Sequence, residues 1–341
     1  MKHTIKQEHT DLLGQYNTEN VDDILENFAY LIKGRNVVDP FAGKWHLLDW
    51  ADRNGAASIS GQDIEVLDER TEYNDSFESP RMVDAETLIV TNPPYLSKNR
   101  NKNGDRRPYD WYTQDDYYKC YLASLLQSNV HEAIIIQPTN FLCEARAKAR
   151  ETLFRDYHIV SAEYWTESCF DGVEISVSVL HIKKGHKPSQ NFVMTQRPSG
   201  KLIELEMRPE NKYIAGNEFF DYIRGHDIKA EKVDVGMDPP NTNIVVSLLD
   251  KGKYGLGLYY NEADPIYCNP SSFTTYQINL PITITEDIQR EIVIDFNDKM
   301  KYFRDKYDSF FLGFYIDAKQ KILSRKYTAQ LLAKIISEKV A

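Results

Sequence analysis

The sequence lacks any apolar run of eighteen or more residues, so it predicts no membrane-spanning helix. The residues after Met1 are polar, which argues against a signal peptide and favours a cytoplasmic location. The chain has only four cysteines, at positions 120, 143, 169 and 268, and no Cys-x-x-Cys pair. Zinc knuckles and disulfide frameworks require closer, paired spacing. We therefore expect reduced, mostly buried thiols and no metal site.

A surplus of positive charge, which is typical of nucleic-acid-binding proteins, is also missing. The net charge of the 341-residue chain is −10. Residues 1–185 contain 20 Lys and Arg against 30 Asp and Glu, whereas residues 186–341 contain 21 of each kind. The acidity therefore belongs entirely to the first half, so a basic surface in that half has to be local.

A short apolar run, Leu88–Thr91, ends in the turn Asn92-Pro93-Pro94-Tyr95. The run predicts a buried parallel strand, and the prolines remove two N–H donors and leave a rigid rim of hydrogen-bond acceptors. Open α/β sheets bind ligands at this carboxyl edge. A planar amine such as adenine N6 could donate to the Asn92 side chain and the Pro93 carbonyl, while Tyr95 stacks on the base. An ordinary Asn-Pro turn is the alternative, and context must decide.

Upstream segments supply that context. An apolar strand-like segment ends in Asp39 and a small-residue turn with Gly43, which lets a ligand approach the backbone. A second segment ends in Asp63, an acid suited to accept hydrogen bonds from a ribose diol. Asp75 and Phe77 follow and offer a carboxylate and a ring for an adenine. Each segment is a weak signal alone, but their order indicates a nucleotide cofactor.

Taken in order, these motifs resemble those of the amino-group DNA methyltransferases that use S-adenosylmethionine (SAM), specifically the N6-adenine enzymes. The resemblance covers residues 12–184. Its motif order is like that of the gamma group, with the SAM motif first and the variable part last. The matching segments are 14–18 (with Glu19 in place of the family's usual proline), 39–43, Asp63, Asp75 with Phe77, 92–95, 133–138, and 169–173 before 175–180.

The resemblance implies SAM as the cofactor, double-stranded DNA as the substrate and a Rossmann-like methyltransferase fold. It also implies a cognate restriction endonuclease that acts on the same DNA site without direct contact. The implied catalytic residues are Asn92, Pro93, Pro94 and Tyr95, and the implied residues that stack on a flipped adenine are Tyr95 and Phe170. The implied SAM site consists of Gln15, Tyr16, Thr18, Asp39, Pro40, Ala42, Gly43, Asp63, Ile64, Asp75, Phe77 and Asn92.

One position departs from the family pattern, which generally has Gly-x-Gly after the first strand. Here Gly43-Lys44-Trp45 puts a large side chain where the backbone should lie close to the cofactor. The indole either obstructs the SAM site or turns away and is buried under the sheet. We predict burial, because the other motifs are intact.

A basic segment, residues 98–107, follows the catalytic turn directly and contains five basic side chains, one acid and no apolar residue. A solvated loop is the simplest interpretation. Its position beside the proposed site instead favours a loop that binds DNA phosphates and becomes ordered on the substrate. The predicted contacts are Lys98, Arg100, Lys102, Arg106 and Arg107.

Aromatic residues follow the basic segment. Tyr109 and Trp111 are candidate DNA contacts, since aromatic rings beside basic side chains suit base stacking. From Tyr117 onward, apolar residues recur at helical spacing and predict a core helix. Asp115 and Asp116 have no metal-ligand partners nearby in the sequence and are expected at the start of that helix.

A polar stretch at 183–189, rich in Gly, Pro and Ser, predicts a domain boundary. We predict a SAM-binding catalytic domain over 1–185 and a DNA target-recognition domain over 186–341. The second part has strand-like segments at 201–207, 243–249, 255–260 and 276–280. Helical patterns then begin at Ile288, with a cap at Thr285, and at Ile322. The predicted class is therefore α/β with a C-terminal α+β domain.

Two alternatives stay open. Enzymes that methylate another planar amine, in a protein glutamine or an RNA base, share the same turn. A nucleic-acid-binding protein with a degenerate SAM site is the second alternative, motivated by Trp45. The large second part and the motif at 14–18 favour site-specific methylation of DNA.

Overall fold

The computed structural model describes residues 18, 20–146, 148–167, 169–170, 175–250, 255–268, 274–315 and 321–340. These residues form two compact units. The first runs up to Phe141 and from Arg146 to Glu204, and the second contains Leu142–Ala145 and the chain from Leu205 onward. The main boundary between these two units follows Glu204.

The first unit is built on a mostly parallel sheet in which the described residues form nine strands, the last of them continuing past Glu204. The strands are β1 (Asn36–Asp39), β2 (Ser58–Asp63), β3 (Thr71–Tyr73), β4 (Leu88–Thr91), β5 (Glu132–Pro138), β6 (Tyr157–Trp165), β7 (Val177–Lys184), β8 (Gln190–Arg197) and β9 (Leu202–Met207). Their order across the sheet is β3-β2-β1-β4-β5-β7-β6-β8-β9.

The direction of the strands defines the fold class. Strands β1 to β5 run parallel to one another, whereas β7 is antiparallel to both β5 and β6. With β7 set aside, the first six strands have the order 3-2-1-4-5-6, which is that of a doubly wound Rossmann sheet. The predicted Rossmann-like α/β class is confirmed.

The strands that the sequence predicted meet at one edge of this sheet. β1 ends at Asp39, β2 at Asp63, and β4 at Thr91, directly before Asn92. All four residues of β4 are buried, which is why this strand is apolar without alternation. Because β2, β1 and β4 are adjacent and parallel, their carboxyl ends place these polar residues together.

Helices connect the strands of the first unit. Tyr117 begins the predicted core helix, and every residue of that helix is buried. Asp116 is its N-cap, as expected from its position. The helices between Val21 and Leu153 are Val21–Leu25, His46–Arg53, Arg107–Trp111, Tyr117–Ser124, Asn140–Cys143 and Lys148–Leu153, with 3₁₀ turns at Glu26–Leu31 and Leu125–Gln127.

The described residues of the second unit form small sheets and three helices. An antiparallel sheet has the order β10-β13-β11-β12, with strands β10 (Glu231–Lys232), β11 (Ile244–Ser247), β12 (Gly257–Tyr260) and β13 (Thr275–Asn279). A two-stranded sheet pairs β14 (Gly313–Tyr315) with β15 (Lys321–Leu323). The helices are Asn217–Ile223, Glu286–Tyr307 and Arg325–Val340, and a 3₁₀ turn lies at Pro209–Asn211. This mixture confirms the predicted α+β class of the C-terminal part.

The helix boundaries of the second unit were only partly predicted. The Thr285 side chain accepts a hydrogen bond from the Ile288 N–H at 3.4 Å, which confirms the predicted cap. The prediction of a helix from Ile322 is wrong, because Ile322 and Leu323 belong to β15. The Leu323 N–H donates to the Leu248 carbonyl at 3.0 Å, so tertiary pairing overrides the helical pattern there. None of the described helices is long and apolar enough to cross a membrane.

Candidate active site

A pocket opens at the carboxyl edge of β1, β2 and β4. Together with the open solvent at its mouth, it encloses about 950 Å³ of empty space. The lining residues are Thr18, Asp39, Phe41, Ala42, Gly43, Lys44, His46, Leu47, Asp63, Ile64, Asn74, Asp75, Ser76, Phe77, Asn92, Pro94, Asp105, Pro108 and Tyr117.

Two buried carboxylates form the floor of this pocket. Asp39 Oδ1 accepts hydrogen bonds from the Thr91 hydroxyl at 2.7 Å and the Phe41 N–H at 2.9 Å. Asp63 accepts from the Gly43 N–H and the Glu65 N–H, each at 2.9 Å. Burial is the main cause that raises the pKa of Asp39, to about 7. The hydrogen bonds from Thr91 and Phe41 lower this pKa, and the nearby charge of Asp63 raises it. Burial also raises the pKa of Asp63. A cation in the pocket would therefore relieve the cost of burying these charges.

An aromatic wall closes one side of the pocket. The Phe77 ring centroid lies 5.3 Å from that of Phe41 and 5.2 Å from that of Tyr117. Asp75 Oδ1 accepts the N–H groups of Phe77 and Glu78 at 3.0 and 3.3 Å and so fixes the start of this turn. The wall offers flat apolar faces beside a carboxylate, an arrangement that suits an adenine ring with an exocyclic amine.

The Asn92 side chain is held between two neighbours. Its amide nitrogen donates to the Thr18 hydroxyl at 2.9 Å, and its amide oxygen accepts a hydrogen bond from the Tyr95 hydroxyl. The Tyr95 ring is buried and packs edge-on against Tyr118 and Phe170, with centroids 6.0 and 6.3 Å away. The two rings expected to stack on a base therefore lie against each other in this structure.

Trp45 turns away from the pocket and is buried, as predicted. Its indole N–H donates to the Thr71 hydroxyl at 2.7 Å, and the Arg70 guanidinium lies 4.1 Å from the ring centroid. The backbone of Trp45 has φ +66°, a left-handed conformation in which glycine is the usual residue. A Cβ at Gly61 would lie 2.6 Å from Ala42, 2.8 Å from Leu48 and 3.1 Å from the indole, so the glycine on β2 leaves room for these three side chains.

The basic segment folds against the same pocket. Asp105 and Pro108 line it, and Asn101 is completely buried. Lys98 pairs with Asp110 at 2.6 Å, and Arg107 pairs with Asp105 at 2.8 Å. Arg106 donates to the carbonyl oxygens of Lys98 and Asn101. Within the described part of the chain, the exposed side chains of Arg100 and Lys102 have no ion-pair partner.

The aromatic residues after the basic segment differ in exposure. Tyr109 is 1% exposed, stacks on Tyr117 with centroids 4.9 Å apart, and donates its hydroxyl to the Leu96 carbonyl at 2.8 Å. The expectation that Tyr109 contacts DNA is therefore wrong, because the ring belongs to the core. Trp111 is 43% exposed, with Arg107 5.0 Å from its ring centroid, and it remains a candidate.

Most predicted site residues within the described ranges come together in this pocket. Pro40, Pro93, Tyr95 and Phe170 do not line it, and neither do the five basic residues of segment 98–107. The Pro40 carbonyl accepts a hydrogen bond from the Ser76 hydroxyl at 2.7 Å. Gln15 and Tyr16 lie outside the described residues. The lining residues that sequence reasoning missed are Phe41, Lys44, His46, Leu47, Asn74, Ser76, Asp105, Pro108 and Tyr117. Phe41 to Leu47 continue the predicted Asp39 motif and could have been included, whereas Asp105 and Tyr117 carry no local signal.

Comparisons with known proteins give only distant structural likenesses. No family model matches the chain, and no curated protein matches it. A modification subunit of a putative type I restriction enzyme from Vibrio vulnificus YJ016 is similar at 16% identity and a TM-score of 0.41, over 59% of this chain and 51% of that one. The methyltransferase subunit of a type I restriction-modification system from Streptococcus thermophilus gives 17% and 0.41, over 57% and 50%.

A third similar structure is a putative class I SAM-dependent methyltransferase from Listeria monocytogenes, at 15% identity and a TM-score of 0.41, over 52% of this chain and 67% of that one. The matched part spans about half the length of the two type I subunits. At these values the likeness assigns neither a family nor an activity to this chain.

Proposed function

We propose that this chain is a site-specific DNA methyltransferase that transfers a methyl group from SAM to N6 of a flipped adenine. The observation that carries the proposal is the position of Asn92, which lines a pocket together with Asp39, Asp63 and Asp75. A turn of hydrogen-bond acceptors thus adjoins a site suited to a nucleoside that bears a positive charge. In this proposal the protein belongs to a restriction-modification system, in which a separate endonuclease acts on the same DNA site without contacting this chain.

The pocket residues fit SAM by their chemistry. Asp63, at the end of β2, is positioned to accept hydrogen bonds from the ribose hydroxyls. Phe41 and Phe77 offer faces for the adenine ring, and Asp75 offers an acceptor for its amine. Gln15 and Tyr16, with Thr18, are proposed to complete the site from the N-terminal motif. When bound, SAM supplies an electrophilic methyl group on a sulfonium.

The catalytic step needs acceptors rather than a strong base. Adenine N6 is poorly nucleophilic and becomes positively charged as it attacks the methyl carbon. The Asn92 side-chain oxygen and the Pro93 carbonyl are proposed to accept its two hydrogens, which favours a pyramidal nitrogen and stabilises the developing charge. Pro93 and Pro94 keep this rim rigid, so the attacking amine is aligned with the methyl group.

The target base must leave the duplex before it can reach Asn92. Stacking between Tyr95 and Phe170 is proposed to offset the few kcal/mol that unstacking costs. These rings now contact each other edge-on, so the base would enter by parting them. Sequence recognition is proposed to belong to the second unit, since the residues around the pocket contact only the base, the cofactor and nearby backbone.

The alternatives differ in what they require of this site. A degenerate cofactor pocket was suggested by Trp45, but the buried indole does not line the pocket. That observation favours a working SAM site over the degenerate one. Methylation of a protein glutamine or an RNA base uses the same turn and is therefore left to the experiment.

The test is a methyl-transfer assay with isotopically labelled SAM. The purified chain is incubated with a random duplex DNA library, and the products are digested to nucleosides and identified by mass spectrometry. Parallel reactions contain RNA or a protein extract, and Asn92→Ala serves as the blank. The proposal expects N6-methyladenine among the nucleosides, and modification-sensitive sequencing of an undigested portion is expected to place it at one short DNA sequence. Label only in RNA or glutamine, or SAM binding without transfer to any substrate, would overturn it.

We expect SAM affinity to rise with pH through the raised pKa of Asp39. The carboxylate attracts the sulfonium and the neutral acid does not, so the dissociation constant should fall by up to about tenfold between about pH 6 and pH 8. Without SAM, the free energy of unfolding should fall as the pH rises from 3.8, the ordinary pKa of an aspartate, towards 7. The reason is that the folded protein binds the Asp39 proton more tightly than the unfolded chain does.

Isothermal titration calorimetry over this pH range measures the affinity. The matched variant is Asp39→Asn, which keeps the shape of the side chain and cannot titrate. Its SAM affinity should be nearly independent of pH. An unchanged slope in Asp39→Asn would assign the titration to another group.

We expect Arg100 and Lys102 to make the phosphate contacts of the basic segment, because the other three cations already have partners within the segment or in the following helix. The double variant Arg100→Ala/Lys102→Ala should weaken binding to any DNA sequence and lower the salt slope by about 0.9 per lost contact. Fluorescence anisotropy at several salt concentrations measures both effects.

The charge-matched control is Lys33→Ala/Lys187→Ala, which removes the same charge from exposed positions outside the segment. Its salt slope should equal that of the wild type. Equal slopes for both double variants would mean that the basic segment is only a solvated surface.

A further inference from the structure

Three asparagines alternate with basic residues in the segment that follows the catalytic turn. Asn99 and Asn103 are exposed, whereas Asn101 between them is completely buried. Each of the three asparagines directly follows a basic residue, so the sequence alone predicts the same environment for all of them. The structure therefore distinguishes one asparagine of the segment from its two neighbours.

The buried side chain of Asn101 organises the segment around itself. Its amide nitrogen lies within hydrogen-bonding distance of the Asp105 carbonyl at 2.8 Å, the Tyr117 hydroxyl at 3.0 Å and the Tyr109 hydroxyl at 3.2 Å. Its amide oxygen accepts the Gly104 N–H at 2.8 Å. The Asn101 carbonyl accepts from Arg106. One side chain thus joins the segment to the core helix that Tyr117 begins.

These contacts lead directly to the cofactor pocket. Asp105 and Tyr117 both line it, and the Tyr117 hydroxyl also donates to the Asp105 carbonyl. Tyr117 in turn packs against Phe77, whose face is proposed to hold the cofactor adenine. The position of Asp105 and the tilt of Tyr117 therefore depend on the same buried amide.

We infer that Asn101 is a positioning residue for the cofactor. Its side chain fixes Asp105 and Tyr117, two lining residues at the adenine end of the pocket. This inference rests on the proposed binding of SAM and extends the site beyond the motifs that imply it. Asn101 acts through Asp105 and Tyr117 and does not touch the reacting atoms. In a variant without this amide, the hydroxyls of Tyr109 and Tyr117 and the carbonyl of Asp105 lose a shared buried partner. Asp105 and Tyr117 then lose their fixed positions.

The experiment compares Asn101→Ala with Asn99→Ala and Asn103→Ala in the full chain. Asn101→Ala should raise the KM for SAM by about tenfold, as expected for losing buried hydrogen bonds. The kcat at saturating SAM should stay within about twofold. Both control variants should match the wild type in both quantities. Calorimetry with S-adenosylhomocysteine repeats the comparison without catalysis.

Thermal melting and a conservative variant separate positioning from general stability. Asn101→Asp keeps the size of the side chain and the acceptor for Gly104 but loses the amide donors, so it should share the KM defect at temperatures well below its own melting transition. A loss of melting temperature in Asn101→Ala with an unchanged KM for SAM would overturn the inference. An equal rise of KM in Asn99→Ala would also overturn it.

The proposed function and this inference fail in different ways. If the wild-type chain binds neither SAM nor S-adenosylhomocysteine, the proposed function fails first. If the wild type binds them and Asn101→Ala binds them equally well, only the role of Asn101 is refuted.

Discussion

Replacing Asn92 by alanine is expected to lower kcat for methyl transfer by about 10²–10³-fold, the loss that follows removal of one preorganised polar contact to a transition state. The side-chain oxygen is the proposed acceptor for the target amine, and the two prolines of the turn have no side-chain acceptor. SAM affinity should stay within about threefold, because the Asn92 amide donates to Thr18 but is not proposed to hold the cofactor's charge. Single-turnover kinetics and calorimetry measure the two quantities.

Two variants make this expectation specific. Asn92→Asp keeps an acceptor oxygen and should retain more activity than Asn92→Ala. Tyr95→Phe keeps the ring but removes the hydroxyl that donates to Asn92, so it tests whether the amide must be held in place. Unchanged turnover in Asn92→Ala would remove Asn92 from the mechanism.

Asp63→Ala should weaken SAM binding by about 10–100-fold, since charge-assisted hydrogen bonds are worth about 1.5–3 kcal/mol. Two effects add in this variant. The ribose hydroxyls lose their proposed acceptor. The Gly43 N–H also loses the carboxylate that holds the turn after β1 in place. Affinity for DNA should be unchanged. Calorimetry with SAM and anisotropy with duplex DNA measure the two ligands separately.

The control for Asp63 is Glu69→Ala, which removes an exposed acid from the segment after β2. Asp63→Asn keeps the side-chain shape and should lose less affinity than Asp63→Ala. If Asp63→Ala lost DNA affinity while binding SAM normally, the carboxylate would belong to the substrate side of the site.

The strands that hold the site were predictable because their residues carry local signals. β1, β2 and β4 are short segments that end in Asp39, Asp63 and the Asn92 turn, and the structure places all three at one edge. Their neighbours in the sheet follow from the parallel pairing that such segments favour. The position of β7 between β5 and β6 follows from long-range pairing and has no local signal.

Side-chain environments were less predictable than strands. The burial of Trp45 was expected, but its partner Thr71 lies on β3 and could not be read from the neighbouring sequence. Tyr109 has the composition of a contact residue and is buried, because the helix beginning at Tyr117 offers it a stacking partner. Ile322 and Leu323 fit a helical period, yet β14 and Leu248 pair with them as a strand. In each case a contact with another element of the fold decides the outcome.

The segment 98–107 has one side toward the pocket and another toward solvent, and this has a thermodynamic consequence. Asn101 and Asp105 belong to the inner side, whereas Arg100 and Lys102 are on the outer side. If phosphate contacts favour the arrangement in which Asn101 is buried, DNA raises the affinity for SAM, and SAM must raise the affinity for DNA by the same factor. The two ligands would then be heterotropic effectors of each other, and a SAM affinity measured without DNA would be a lower limit.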